Sequence, residues 1–219
     1  MISSLLKIRW INLDQIVTIF GQGFVSGCNH PLVETIKEYN NNPQIKYSQT
    51  KLYNFHKNFT PSSTNEALGV KSKIILPLFK YPWGYFRLNA RKKSQITSSF
   101  CGPSPDRLIS KEFNKIISLY NNIKDCGYKV ITKKSIIGGT FLVKNNGEKK
   151  FVVLQGNHRI SVLSALGRKK VLVYTMKGYH QYIEESSMEN LAKLNKVNCP
   201  KDVSRKIFNS FFKKRILMY

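Results

Sequence analysis

The sequence predicts an α/β (α+β) fold, a small mixed sheet with packed helices, and three observations support it. Residues 151–167 form an apolar β-prone run, a glycine turn and a helical pattern. Two further strands, at 136–143 and 149–154, flank Asn145-Asn-Gly147, which is typical of a tight hairpin. Apolar residues recur at helical spacing over 110–126. Strands and helices therefore alternate through the second half of the chain.

The composition indicates one ordinary domain with extensions. The chain has 219 residues, of which 42% are hydrophobic and 22% charged, values typical of a folded globular protein. We expect an N-terminal extension over 1–71, whose fold the sequence leaves open. A core over 72–176 and a C-terminal helical segment over 177–219 follow.

The net charge of +24 arises from 36 basic and 12 acidic residues. Such an excess favours a polyanionic partner, namely nucleic acid, anionic lipid or acidic glycan. The codon usage of an AT-rich genome explains it equally well, because 28 lysines outnumber 8 arginines and are mostly scattered. The charge alone therefore does not decide the function.

The cysteines, at positions 28, 101, 126 and 199, have no spacing typical of zinc or redox sites. We therefore expect reduced thiols in a cytoplasmic protein. Residues 15–33 lack charge, but three glycines and a proline interrupt them, so we expect no membrane span there. The start of the chain lacks the pattern of a signal peptide.

Elements in the first part of the chain are the least distinct. Residues 11–20 fit a strand or a short helix, 31–39 fit a helix with proline near its start, and 73–78 fit a strand. An aromatic cluster, 81–86, precedes the basic residues Arg87, Arg91, Lys92 and Lys93. Aromatic rings beside basic residues stack on bases or sugars, or they simply cap a core. The sequence leaves both interpretations open.

The later elements are more regular. Ser110 is predicted to cap the N-terminus of a helix that ends at Cys126, before Gly127. A strand is expected at 171–174, a helix from Gly178 onward, and a final amphipathic helix over 201–212.

The candidate site is Gly156-Asn157-His158-Arg159, where the strand passes into the helix. The first turn of a helix presents free N–H groups and a positive dipole end, so these residues predict an anion pocket, with phosphate as the expected anion. Arg159 is expected to hold two phosphate oxygens, and His158 to donate to phosphate or to a carbonyl. Gly156 permits a close approach of ligand or makes a turn, and Asn157 is a candidate helix cap.

These residues carry a family resemblance. The motif Gly156–Arg159, with a strand before it and Ala165-Leu-Gly167 after it, resembles the phosphate-binding motif of the ParB/sulfiredoxin superfamily. Gly102-Pro-Ser-Pro-Asp-Arg107 resembles the first box of these domains, and the helix that normally follows is predicted next. The resemblance covers residues 100–176. It implies a nucleotide-binding core like those of partitioning CTPases, sulfiredoxin and small-molecule kinases.

Two branches of that superfamily fit poorly. Sulfiredoxin-like members carry a reactive cysteine where Asn157 stands, and sulfinic acid reduction needs that thiolate. Partitioning members usually carry an acidic residue and a second arginine in place of Asn157 and His158. They also continue into DNA-binding and dimerisation segments, for which the 43 residues 177–219 are too few. The resemblance therefore points to phosphotransfer.

Phosphotransfer implies a nucleoside triphosphate, ATP or CTP, with Mg²⁺, and a carboxylate that orients the accepting hydroxyl. Candidate catalytic or magnesium-linked carboxylates are Asp106 and Glu112, although no direct metal motif is present. The glycine pair at 138–139 lets a strand pass close to ligand, or forms a β-bulge. The candidate ligand contacts are Ser104, Arg107, Gly138 and Gly139.

A wider resemblance concerns the acceptor. The order Pro82-Trp83, 100–104, 154–159 and the tail 202–212 resembles uncharacterised ParB-like proteins of surface-polysaccharide gene clusters. It implies a sugar, a glycan precursor or an anionic glycan as acceptor, and hence a kinase or a nucleoside triphosphatase. The alternatives are a basic nucleic-acid-binding module and a non-catalytic nucleotide sensor.

Overall fold

The computed structural model describes residues 8–85, 100–130, 135–176, 180–217 and 219, and it confirms the mixed α/β class. The strands are β1 (Ile8–Asn12), β2 (Ile16–Val17), β3 (Lys80–Tyr81), β4 (Gly84–Tyr85), β5 (Ile137–Val143), β6 (Lys149–Gln155), β7 (Lys170–Thr175) and β8 (Tyr182–Glu184). The helices are α1 (Pro31–Asn41), α2 (Lys51–Asn58), α3 (Thr64–Ala67), α4 (Asp106–Cys126), α5 (Asn157–Ala165), α6 (Met188–Leu194) and α7 (Lys201–Ser210).

The main sheet has the order β1-β7-β5-β6-β2, and β8 pairs with the second half of β5. The β5–β6 pair is the predicted antiparallel hairpin, whereas β7 and β8 both run parallel to β5. A flat sheet would place the edge strands β1 and β2 roughly 19 Å apart at about 4.8 Å per strand. The link from Asn12 to Ile16 spans at most about 14 Å, so the sheet must curl. Two strands from the predicted N-terminal extension thus lie in the same sheet as the core.

Each face of the sheet is covered, because successive side chains of a strand point to opposite sides. Phe141 and Phe151 lie in one buried cluster with residues of α1, α4 and α5. Leu142 and Val152 lie in a second cluster with residues of α7. The site therefore lies on a sheet packed on both faces.

One predicted strand does not form, and two predicted helices begin at other residues than expected. Residues 73–78 form no strand, because the side chain of Asn65 bonds Leu76 N and Ile74 O in place of a strand partner. Helix α4 begins at Asp106 rather than Ser110, with Pro105 as its N-cap, although it ends at Cys126 as predicted. The expected helix after Gly178 is preceded by β8, which pairs with β5, and the helix α6 begins only afterwards.

The other predicted elements are present. The 11–20 segment contains the end of β1, a 3₁₀ turn at Leu13–Gln15 and β2. The helices predicted at 31–39 and 201–212 correspond to α1 and α7. In the described part of the chain, no helix has the length and apolar character needed to cross a membrane.

The aromatic cluster belongs to the core as far as the structure describes it. The exposed fractions of Tyr81 and Trp83 are 0% and 4%, and their rings stack with centroids 5.4 Å apart. The Tyr81 hydroxyl donates to the carbonyl of Ile19 at 2.6 Å. These two rings cannot stack on bases, and the basic residues 87–93 lie outside the described residues.

Candidate functional site

A cavity of about 300 Å³ opens between α1, α2, α4 and the start of α5. Three of the four histidines of the chain line it, and Glu112 is the one carboxylate among its described lining residues. Its polar wall comprises Thr18, Gln22, His30, His56, Glu112, Lys115, Gln155, Asn157 and His158. Its apolar wall includes Ile19, Phe20, Leu52, Phe55, Phe100, Leu154 and Leu217.

Two helix N-termini converge on this cavity. Strand β6 ends at Gln155, and Gly156 takes a left-handed conformation, φ 102°, that turns the chain into α5. Gly156 itself is the N-cap, so the prediction that Asn157 caps the helix is wrong by one residue. His30 is the N-cap of α1 and lines the same cavity. Both helix dipoles therefore favour negative charge in this space.

His158 and Glu112 form the central contact of the site. The imidazole Nε2 lies 2.6 Å from Oε2 of Glu112, and each side chain is 25% exposed. This hydrogen bond is the main reason that the pKa of Glu112 lies below its usual value. Lys115 Nζ lies 3.7 Å from Oε1 of the same carboxylate. The cavity thus presents an ionised carboxylate held by an imidazole and flanked by a lysine.

Two buried histidines were not anticipated from the sequence. Burial lowers the pKa of His30 to about 3 and that of His56 to about 4, so both rings are neutral at pH 7. His30 stacks on Phe24 with centroids 4.4 Å apart, and its Nδ1 has no hydrogen-bond partner among the described residues. His56 Nδ1 lies 3.2 Å from Oγ of Ser104. The one sequence signal near either histidine is Pro31, which directly follows His30 and is typical of the start of a helix.

Arg159 takes a different direction from His158. Among the described residues it is not part of the cavity lining, and it hydrogen-bonds Tyr128. Burial raises the pKa of the Tyr128 hydroxyl, and the charge and hydrogen bond of Arg159 only partly offset this rise. Its Nη2 lies 3.5 Å from the place that a Cβ on Gly156 would occupy. The guanidinium therefore lies beside the glycine turn, on the Tyr128 side.

The first box lies mostly outside the cavity. Asp106 is exposed and pairs with Lys57 at 2.6 Å, which lowers the pKa of the carboxyl. Arg107 is exposed, and Ser104 is buried against His56. Of the two predicted carboxylates, the structure brings only Glu112 to the cavity.

The glycine pair of β5 has a packing role. The register with β6 shifts between Gly138 and Gly139, as in a β-bulge. A Cβ on Gly139 would lie 2.1 Å from the carbonyl oxygen of Val152, and one on Gly138 would contact Met176 and Tyr174. Neither glycine lines the cavity.

The described residues contain no group of three or more His, Cys, Asp or Glu side chains arranged to hold a metal ion. Comparisons with protein-family models, curated proteins and solved structures find no match for this chain. The functional argument therefore depends on the geometry of the site.

Proposed function

We propose that this chain is a nucleotide-binding phosphotransferase of the ParB/sulfiredoxin type that acts on a small hydroxylated acceptor. The observation that carries the proposal is the 2.6 Å contact between Glu112 and His158, inside a cavity at the N-terminus of α5. It places an ionised carboxylate beside an anion-favouring helix end, which is what phosphoryl transfer to a hydroxyl requires.

The two walls of the cavity suit a nucleoside triphosphate, ATP or CTP. The N-termini of α1 and α5 and the side chain of Lys115 provide positive potential for phosphates. Phe20, Phe55 and Phe100 provide apolar surface on which a base can pack. The volume of about 300 Å³ is at the lower end of the range for small-molecule sites.

In this mechanism Glu112 orients the acceptor hydroxyl and takes up its proton. The acceptor oxygen then bonds to the terminal phosphorus, the bond to the leaving oxygen breaks, and a nucleoside diphosphate departs. His158 holds the carboxylate in place through Nε2, and Lys115 offsets the charge on the transferred group. A sugar or glycan precursor is the acceptor class that we propose.

Magnesium bound to a nucleotide needs only one or two protein oxygens, since the phosphates and water supply the rest. Among the described residues the buried Oδ1 of Asn157 has no hydrogen-bond partner, so this oxygen would hold the ion. When bound, it would neutralise phosphate charge.

The first test is equilibrium binding of ATP, ADP, CTP and GTP with magnesium. We expect His158→Gln to weaken binding by about tenfold, because the variant loses the charge-assisted hydrogen bond that we propose the other ring nitrogen of His158 donates to phosphate. The matched control is His180→Gln, because His180 is exposed and does not line the cavity. Equal affinity in His158→Gln and wild type, or no nucleotide binding at all, would overturn the proposal.

The second test is phosphoryl transfer to a panel of sugars. We expect Glu112→Gln to retain nucleotide binding and to lose transfer, whereas the control Glu184→Gln, at an exposed carboxylate, retains both. Nucleotide binding by the wild type without transfer to any acceptor would instead identify a nucleotide sensor.

A further inference from the structure

A second cavity, of about 290 Å³, lies between the loop 21–28 and the C-terminal segment 211–215. The residues just before this loop, Thr18 to Phe20, line the first cavity, but the two cavities share no lining residue. The second cavity is therefore a separate site on the same connecting segment.

The charge around the second cavity is strongly positive. Its basic side chains are Lys150, Lys213, Lys214 and Arg215, and the one carboxylate among its described lining residues is the exposed Asp14. Over the described ranges, none of these four basic groups lies within ion-pair distance of a carboxylate. Elsewhere on this protein lysines do form such pairs, as Lys193 and Lys201 do with Glu189. Within the part of the chain that the structure describes, the four cations of the cavity thus have no ion-paired carboxylate, and Asp14 is the one acidic residue in the lining.

Backbone contacts hold two of the four basic side chains in place. Arg215 is half-buried, and its Nη1 donates to the carbonyls of Phe20 at 3.1 Å and Ala67 at 2.6 Å. Lys150 Nζ donates to the carbonyl of Asp14 at 2.8 Å. These contacts use neutral oxygens, so Arg215 and Lys150 keep their positive charge while their positions are fixed. Lys213 and Lys214 are exposed beside them.

The loop 21–28, opposite the segment 211–215, allows a ligand to approach its backbone closely. Gly27 has φ 77°, and Nζ of Lys214 lies 3.0 Å from the place that a Cβ there would occupy. A side chain at this position would displace the amine. Gly27 itself lies between two lining residues, Ser26 and Cys28. Gly21 and Gly23 line the cavity, and Ser26 adds an exposed hydroxyl. Glycine backbone beside fixed cations suits a compact anion with several oxygens.

We propose that this second cavity binds a phosphate monoester or pyrophosphate. A multiply charged tetrahedral anion matches several cations at once, whereas a single carboxylate neutralises only one. This proposal is independent of the proposed function, because it rests on different residues.

The test is calorimetric titration of the full chain with sodium pyrophosphate at low ionic strength, without magnesium. We expect Lys213→Ala/Lys214→Ala to weaken binding at this site by at least about tenfold, since two charge-assisted contacts are lost. The control Lys169→Ala/Lys170→Ala removes an adjacent, exposed lysine pair that does not line the cavity. His158→Gln separates this binding from any at the first cavity.

Pyrophosphate affinity that is equal in Lys213→Ala/Lys214→Ala and in the control would overturn the proposal, as would binding that only His158→Gln removes. Ser26→Glu is a second variant, which keeps Lys213 and Lys214 and adds a negative charge to the cavity. We expect it to weaken pyrophosphate binding too. Titrations with glycerol phosphate and with vesicles of phosphatidylcholine, with or without phosphatidic acid, then show whether the bound phosphate group belongs to a soluble molecule or to a lipid. Binding that depends on Lys213 and Lys214 assigns the site to a soluble phosphate or to a lipid headgroup, according to which probe binds.

Discussion

Glu112 and His158 are 46 residues apart in the chain, yet their side chains meet at 2.6 Å where α4 passes the start of α5. Asp106 lies six residues before Glu112 on α4, and at 100° per residue the two side chains project about 120° apart around the helix. Asp106 therefore meets Lys57 at the surface, while Glu112 reaches the cavity. The direction of one helix thus selects which of two carboxylates belongs to the site.

The direction of Arg159 leads to a prediction about nucleotide affinity. Because its guanidinium lies beside Tyr128 rather than in the cavity lining, Arg159→Ala should weaken nucleotide binding less than His158→Gln does. Fluorescence or calorimetric titration of the two variants with the same nucleotide measures this. A larger loss in Arg159→Ala would show that Arg159 turns into the cavity to hold phosphate.

The buried histidines predict a loss of stability in mild acid. Above the ordinary pKa of 6.5 both rings are neutral in folded and unfolded chains, so pH has no effect through them. Below it the unfolded chain binds protons that the folded chain cannot, until about pH 4 for His56 and about pH 3 for His30. The free energy of unfolding should therefore fall by up to about 1.4 kcal/mol per pH unit for each histidine.

His30→Phe tests this acid sensitivity while keeping an aromatic ring against Phe24. Urea denaturation between pH 7 and about pH 4 should give a shallower decline for the variant than for the wild type. His180→Gln, at the exposed histidine, should follow the wild type. Parallel curves for His30→Phe and wild type would contradict the prediction.

The β-bulge between β5 and β6 predicts that adding one methyl group at Gly139 greatly lowers the free energy of unfolding. Gly139→Ala brings a Cβ within 2.1 Å of the carbonyl of Val152, which is backbone and cannot move without disturbing the β5–β6 pairing. We expect a loss of about 3 kcal/mol in the free energy of unfolding. Gly138→Ala is the neighbouring control, since the atoms nearest to its Cβ belong to the side chains of Met176 and Tyr174 rather than to the backbone. Similar losses for both variants by urea denaturation would refute this account of the bulge.

The hydrogen bond from the Tyr81 hydroxyl to the carbonyl of Ile19 is predicted to stabilise the folded protein, although it lies inside the core. Tyr81→Phe leaves the carbonyl of Ile19 without this donor in a buried place, which costs about 1–3 kcal/mol. Tyr47→Phe makes the same chemical change where the hydroxyl meets the exposed Asp106, and it should leave the denaturation midpoint unchanged. Equal midpoints for Tyr81→Phe and wild type would contradict the prediction.

Local sequence patterns predicted the elements that depend on short-range interactions. The hairpin around Asn145-Asn-Gly147, the glycine that precedes α5 and the end of α4 at Cys126 are set by turn and cap chemistry within a few residues. The failed strand at 73–78 had the right composition. There, however, the side chain of Asn65 forms hydrogen bonds with the backbone of Ile74 and Leu76, in the place of a neighbouring strand.

The sequence by itself determined the mixed fold class and the strand–glycine–helix turn at Gly156, because periodicity and backbone conformation are local properties of the chain. Only the tertiary structure decided the composition of the site. His30, His56, Glu112 and His158 come from four separate segments. They meet because α1, α4 and α5 pack on one face of a curled sheet and α2 packs against α1 and α4. Contacts between such distant segments depend on the direction of each helix, which no local pattern encodes.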